Sequence, residues 1–136
     1  MRQLTKAALV LLALISWSNN ACSAGTTTSN SPLSKSNVFS EQTGEALYAG
    51  ICQGCHMADA KGATGAGRYP ALAANPNLEI AGYPISILVR GQNAMPAIGR
   101  QLTDAQVAAV VNYIRTHFGN AYTDRVKSED VAAARK

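Results

Sequence analysis

The sequence predicts a small all-helical domain with long loops, on three observations. No alternating apolar–polar run of strand length occurs anywhere in the chain. Val107, Val110, Val111 and Ile114 recur at i, i+3, i+4 and i+7, directly behind a helix-starting sequence. Residues 57–79 are rich in Gly, Ala, Pro and Asn, the composition of an irregular loop. The 136 residues leave room for one domain. A domain of that size gains a thin margin from burial alone, so a disulfide, a metal or a large cofactor is a natural supplement. Aromatic residues make up only 6% of the chain, and the single Trp, Trp17, lies near the N-terminus. Something other than aromatic side chains must fill part of the apolar centre.

Residues 1–24 read as an export signal. Arg2 and Lys6 form a basic start, and Ala7 to Trp17 is apolar apart from Ser16. That stretch is too short to span a bilayer, which takes about 20 residues. Cleavage after Ala24 or nearby would discard Cys22. Alternatively Cys22, behind the small Ala21, would be an acylated N-terminus, although Asn19 stands where lipoprotein signals carry an apolar residue. Residues 25–39 are Thr, Ser and Asn with Pro32 and lack apolar periodicity, so they read as a flexible linker. The formal charge of +4 includes Arg2 and Lys6, and without them 10 basic residues face 8 acidic ones. The basic residues are scattered rather than clustered, which gives nucleic-acid binding no support.

The folded domain is expected over residues 40–119. Ala46, Leu47 and Ile51, with Tyr48 beside them, fall at helical spacing and lead into Cys52. Pro84 opens a short helix, Ile85 to Arg90. Thr103-Asp104-Ala105-Gln106 is a capping box that starts the last helix, with Gly119 as its stop. Residues 120–136 read as a polar C-terminal tail, in which Ser128-Glu129-Asp130 caps one further helical turn up to Arg135.

Cys52-Gln53-Gly54-Cys55-His56 matches the C-x-x-C-H pattern of covalent haem attachment. On a helical turn these positions share one face, so both sulfurs and the imidazole can meet one flat ligand. The cysteines would form thioethers with the haem vinyl groups and His56 would bind the iron. Two other readings compete. A thioredoxin-type redox pair would need a preceding strand in an α/β pattern. Half of a zinc site would need further soft ligands, and only Cys22 and His117 remain.

The second axial position of the iron is assigned by elimination. Of the three methionines, Met1 leaves with the signal and Met57 adjoins His56 on the proximal side. Met95, followed by Pro96, lies among Gln92, Asn93 and Ala94, where a core filler has nothing to fill. Met95 is favoured over His117 or an open site, and its thioether would raise the reduction potential. An iron-bound imidazole donates its other N–H to a fixed acceptor. The Pro70 carbonyl is a candidate, but spacing alone does not separate it from an ordinary turn proline.

Four segments together resemble class I cytochromes c over residues 41–119. They are Tyr48 to His56, Tyr69-Pro70-Ala71-Leu72, Met95-Pro96-Ala97-Ile98-Gly99, and the helix from Leu102 to Arg115. The resemblance implies a cytochrome c fold of three to five short helices wrapped round one haem, with the first and last helices crossing. Gly44 and Tyr48 would meet Val110, Tyr113 and Ile114. It supports Pro70 as acceptor from His56, and it implies Tyr69, Leu72, Ile85, Leu88, Ile98 and Leu102 as pocket residues. Tyr113 to Asn120, with Val126 and Asp130-Val131, is similar to the haem domains of cytochrome subunits serving periplasmic alcohol, aldehyde and sugar-acid dehydrogenases.

The expectation is therefore a periplasmic monohaem electron carrier with no bond chemistry of its own. It would accept electrons from a dehydrogenase and pass them to an oxidase or another cytochrome of the respiratory chain. A fixed subunit of an oxidoreductase, tethered by the linker, is the second reading. A haem enzyme or gas sensor would need a vacant sixth position, and a metal or thiol module would be colourless.

Overall fold

The computed structural model describes residues 39–65 and 67–136. The expected signal, and the expected linker apart from Phe39, lie outside them. The chain begins with α1 (Gly44–Leu47), passes through a π-helical turn (Tyr48–Cys52) and continues as α2 (Gln53–His56). Thr43 caps α1, its hydroxyl accepting from the Ala46 amide. In the π turn the Gln53 amide reaches the Tyr48 carbonyl, five residues back. This inserts one extra residue in the turn that carries Cys52.

α2 stops at Met57, which takes φ 67°, a left-handed conformation costly for a side-chain-bearing residue. The Tyr48 hydroxyl donates to the Met57 carbonyl at 2.7 Å and helps hold it there. Burial, then the neighbouring Cys52, push the Tyr48 phenol up to about 12, so it stays a donor across the working pH range.

The loop that follows corrects the all-helical expectation. Ala63–Thr64 (β1) and Arg68–Tyr69 (β2) pair antiparallel, Ala63 opposite Tyr69 and Thr64 opposite Arg68. Strands of two residues are too short to show alternation, so no periodicity betrays them. A 3₁₀ turn at Pro76–Leu78, capped by Asn75, leads to α3 (Gly82–Arg90). Pro84 sits inside the first turn of α3, where no amide is required of it.

α4 (Asp104–Thr116) carries both halves of the expected capping box. Gln106 also donates through Nε2 to the carbonyls of Phe39 and Glu41, so the cap of α4 anchors the start of the domain. Val107, Val110, Val111 and Ile114 are buried as the stripe requires. Each contributes about 1.5–3 kcal/mol relative to exposure. α4 packs on α1, on α3 and on α5 (Ser128–Ala134). Its end comes before Gly119: Thr116 turns its hydroxyl back onto the Asn112 and Tyr113 carbonyls, and Phe118 and Gly119 both adopt positive φ.

The expected polar tail belongs to the packed body. Asn120, Val126 and Val131 are buried, and Asn112 exchanges two hydrogen bonds with Val126. The apolar residues of 120–136 are too few and too widely spaced to stand out in sequence, but α4 offers them a surface.

Candidate functional site

α2, the loop of residues 68–78, α3 and the segment 92–96 enclose a cavity of about 390 Å³. Cys52, Cys55, His56 and Met95 all line it. The two cysteines come from the end of the π turn and from α2, one helical turn apart, and are not joined to each other. His56 is buried, Cys52 half-buried and Cys55 exposed, so the motif runs from the cavity interior to its mouth. Burial, then Cys55, push the Cys52 thiol up to about 11, which keeps it protonated at neutral pH.

His56 Nδ1 lies 2.9 Å from the carbonyl oxygen of Pro70. A carbonyl can only accept, so Nδ1 carries the proton and Nε2 is left with its lone pair. That tautomer is the one an imidazole needs to bind a metal through Nε2.

Met95 is fixed by a tight turn. The amides and carbonyls of Gln92 and Met95 pair in both directions, at 3.0 and 2.9 Å, with Asn93 at positive φ between them. Gly91 precedes the turn at φ 78°, and a Cβ there would lie 2.9 Å from the Met95 carbonyl oxygen. His117 does not line the cavity. Its ring stacks on Tyr113 at 4.2 Å, and Nδ1 lies 2.9 Å from the Tyr113 carbonyl.

Among the expected pocket residues, Tyr69, Pro70, Leu72 and Leu88 line the cavity, whereas Ile85, Ile98 and Leu102 do not. Ile85 and Leu102 are buried in the core, and Ile98 packs against it. On α3, Pro84, Ile87 and Leu88 form the cavity face at i, i+3, i+4, while Ile85 and Val89 are core residues off that wall. Leu78, Ile87, Val110 and Ile114 complete the apolar wall. Helical periodicity marks Val110 and Ile114 as buried candidates, and only the tertiary arrangement assigns them, with Ile87, to this cavity.

The donor set fits a haem. Two thiols at C-x-x-C spacing, one imidazole with Nε2 available and one thioether line an apolar cavity that carries no carboxylate. Among the described residues no group of three or more His, Cys, Asp or Glu side chains is placed to hold a bare metal ion. No helix among them is long and apolar enough to cross a membrane.

The family model described as cytochrome C oxidase, cbb3-type, subunit III matches residues 40–114. The chain is 36% identical over 107 residues to the fructose dehydrogenase cytochrome subunit of Gluconobacter japonicus, covering 68% of this chain and 22% of that protein. It is 35% identical over 107 residues to the gluconate 2-dehydrogenase cytochrome c subunit of Pantoea cypripedii, covering 70% of this chain and 24% of that protein. The aligned region is under a quarter of the length of either relative.

Proposed function

The chain belongs to the cytochrome c family described by the cbb3-type subunit III model, and on that premise we propose that it is a periplasmic monohaem carrier of single electrons. Membership brings a covalently bound haem c and the role of an electron-transfer component rather than a catalytic subunit. The observation that carries the finer reading is the convergence of Cys52, Cys55, His56 and Met95 on one apolar cavity, with His56 Nδ1 committed to Pro70.

In this reading Cys52 and Cys55 would hold a haem covalently through thioethers. His56 Nε2 and Met95 Sδ would bind its iron. The bound group supplies a one-electron ferrous–ferric couple, whose potential His/Met ligation raises. Pro70 holds the imidazole plane and makes Nε2 a better donor. The apolar walls from Leu72, Leu78, Ile87, Leu88, Val110 and Ile114 exclude water. The turn at Gln92–Met95 fixes the backbone from which the Met95 side chain reaches the cavity.

The relatives are named as cytochrome subunits of dehydrogenases, and this supports a sugar- or sugar-acid-oxidising dehydrogenase as electron donor. The acceptor would be an oxidase or another cytochrome of the respiratory chain. Export through residues 1–24 would deliver the protein to the periplasm, with acylation of Cys22 as the alternative that anchors it.

The deciding experiment records visible spectra of the periplasmically expressed protein, oxidised and reduced, after acid–acetone extraction and with carbon monoxide. Colour that stays with the protein, a sharp low-spin reduced spectrum and no response to the gas are expected. Extractable colour or none would overturn covalent attachment. A strong response to the gas would remove Met95 as ligand and favour sensing or catalysis.

A further inference from the structure

Arg115 is fully buried, directly beyond the α4 stripe, and its guanidinium makes four hydrogen bonds. Nε donates to the Leu78 carbonyl and Nη2 to the Glu79 carbonyl, each at 2.8 Å. The Asp124 carbonyl and carboxylate take the rest, at 2.5 and 2.6 Å. Leu78 and Ile114, the residue before Arg115, both line the cavity. The cation therefore stands one residue behind the cavity wall. Its counter-ion Asp124 lies on the outer side, with its side chain 71% exposed.

A salt bridge of this kind is asymmetric. Water screens the exposed carboxylate, while the guanidinium is shielded by protein on the cavity side and is screened there much less. The cavity wall thus faces a net positive field from Arg115. The planar fork is also matched to two successive carbonyls at the end of the 3₁₀ turn, which a point-charge ammonium cannot reproduce. Asn120 extends the brace by donating to the Leu72 carbonyl and accepting from the Asn75 amide, both residues of the same wall.

We propose that Arg115 is a positioning residue for electron transfer: it fixes the Leu78 wall and, as a buried cation, raises the reduction potential of the haem. The inference rests on the haem reading of the cavity. The sign follows from charge, since a fixed positive field favours the ferrous state, which carries one positive charge fewer.

The test is redox titration of the haem-loaded full chain for wild type, R115M, R115K and D124N, paired with thermal unfolding. R115M is expected to shift the ferrous-to-ferric ratio at fixed potential about tenfold toward ferric, 59 mV for one electron. D124N, which removes the screening anion and leaves the fork's carbonyl contacts in place, should shift the potential upward. R115K should keep a potential near wild type while melting lower, because it retains charge and loses the fork. A haem-loaded R115M with the wild-type potential overturns the inference. Should R115M fail to accumulate, R115Q, which removes the charge and keeps a polar side chain, takes its place, and a wild-type potential in that variant overturns the inference instead. A wild type without covalent haem would remove the reading of the cavity, an outcome distinct from haem-loaded variants that do not shift.

Discussion

His56 Nδ1 donates to the carbonyl oxygen of Pro70 across 2.9 Å, and Gly62 is what allows the backbone of residues 69–71 to lie where it does. Gly62 itself adopts φ 68°, and its amide donates to the His56 carbonyl at 3.1 Å. A Cβ there would overlap the Tyr69 carbonyl oxygen and come within 2.8 Å of the Pro70 carbonyl carbon.

Gly62→Ala is therefore expected to push the Pro70 carbonyl off the imidazole as well as strain the turn. Overpacking and the left-handed backbone together should cost about 2–4 kcal/mol, measured by urea unfolding. The ring N–H of His56 should exchange faster with solvent and, with haem held as proposed, the reduction potential should move, because the imidazole loses its fixed acceptor. A variant of normal stability with an unmoved His56 N–H resonance would show that the acceptor is held by other contacts.

The crossing of α1 and α4 depends on Gly44 in the same manner. A Cβ at Gly44 would overlap the Ala109 carbonyl oxygen and lie 2.6 Å from the Tyr113 Cβ. Gly44→Ala must separate α1 from α4, and an expected loss of about 1–3 kcal/mol should appear in thermal unfolding. Gly44 does not line the cavity that holds His56 and Met95, so the visible spectrum of the folded variant should match wild type. A spectral change would mean that the crossing also sets the cavity.

Residues whose chemistry demands a fixed type at a fixed spacing are legible in the sequence itself. Cys52, Cys55 and His56 are of that kind, as are the capping box at Thr103 and the stripe from Val107 to Ile114. Periodicity separates buried from exposed positions, but it does not say which buried surface meets which neighbour. Ile85 and Ile87 are both apolar residues of one short helix, yet only Ile87 lines the cavity. Arg115 is hidden for a related reason. A cation in a helix's last turn reads as surface charge, and its burial depends on carbonyls supplied by Leu78 and Glu79, more than thirty residues earlier. The β1–β2 ribbon is too short for pattern, and Val126 and Val131 look isolated until α4 receives them.

Asp124 gives the protein an acid-sensitive contact. The hydrogen bond from Arg115, with the charge of the same group, lowers the Asp124 carboxyl below its ordinary value despite some opposing desolvation. The unfolded chain then binds the proton more readily than the folded one, so the contribution is present above the ordinary carboxylate range. It is lost as pH falls through the depressed folded value. Urea midpoints of wild type and D124N, measured from about pH 6 to about pH 2, should differ most at the upper end and converge toward the acid end. A gap that stays constant with pH would mean that the difference comes from the neutral side-chain contacts of residue 124 rather than from its charge.

Met95 and His117 can be told apart directly, because only Met95 lines the cavity and His117 is engaged with Tyr113. Met95→Ala should leave the haem attached through Cys52 and Cys55 but open one axial position, so carbon monoxide binds and the reduced spectrum becomes high-spin. The potential should also fall, since the thioether that favours ferrous iron is gone. His117→Ala should change neither the spectrum nor the response to the gas, and should cost the stacking on Tyr113, about 0.5–1.5 kcal/mol, together with the Nδ1 contact to the Tyr113 carbonyl. Were the assignments reversed, the His117 variant would bind the gas and the Met95 variant would remain low-spin. A third pattern, with gas binding already in wild type, would place the second axial position in solvent and make Met95 a wall residue.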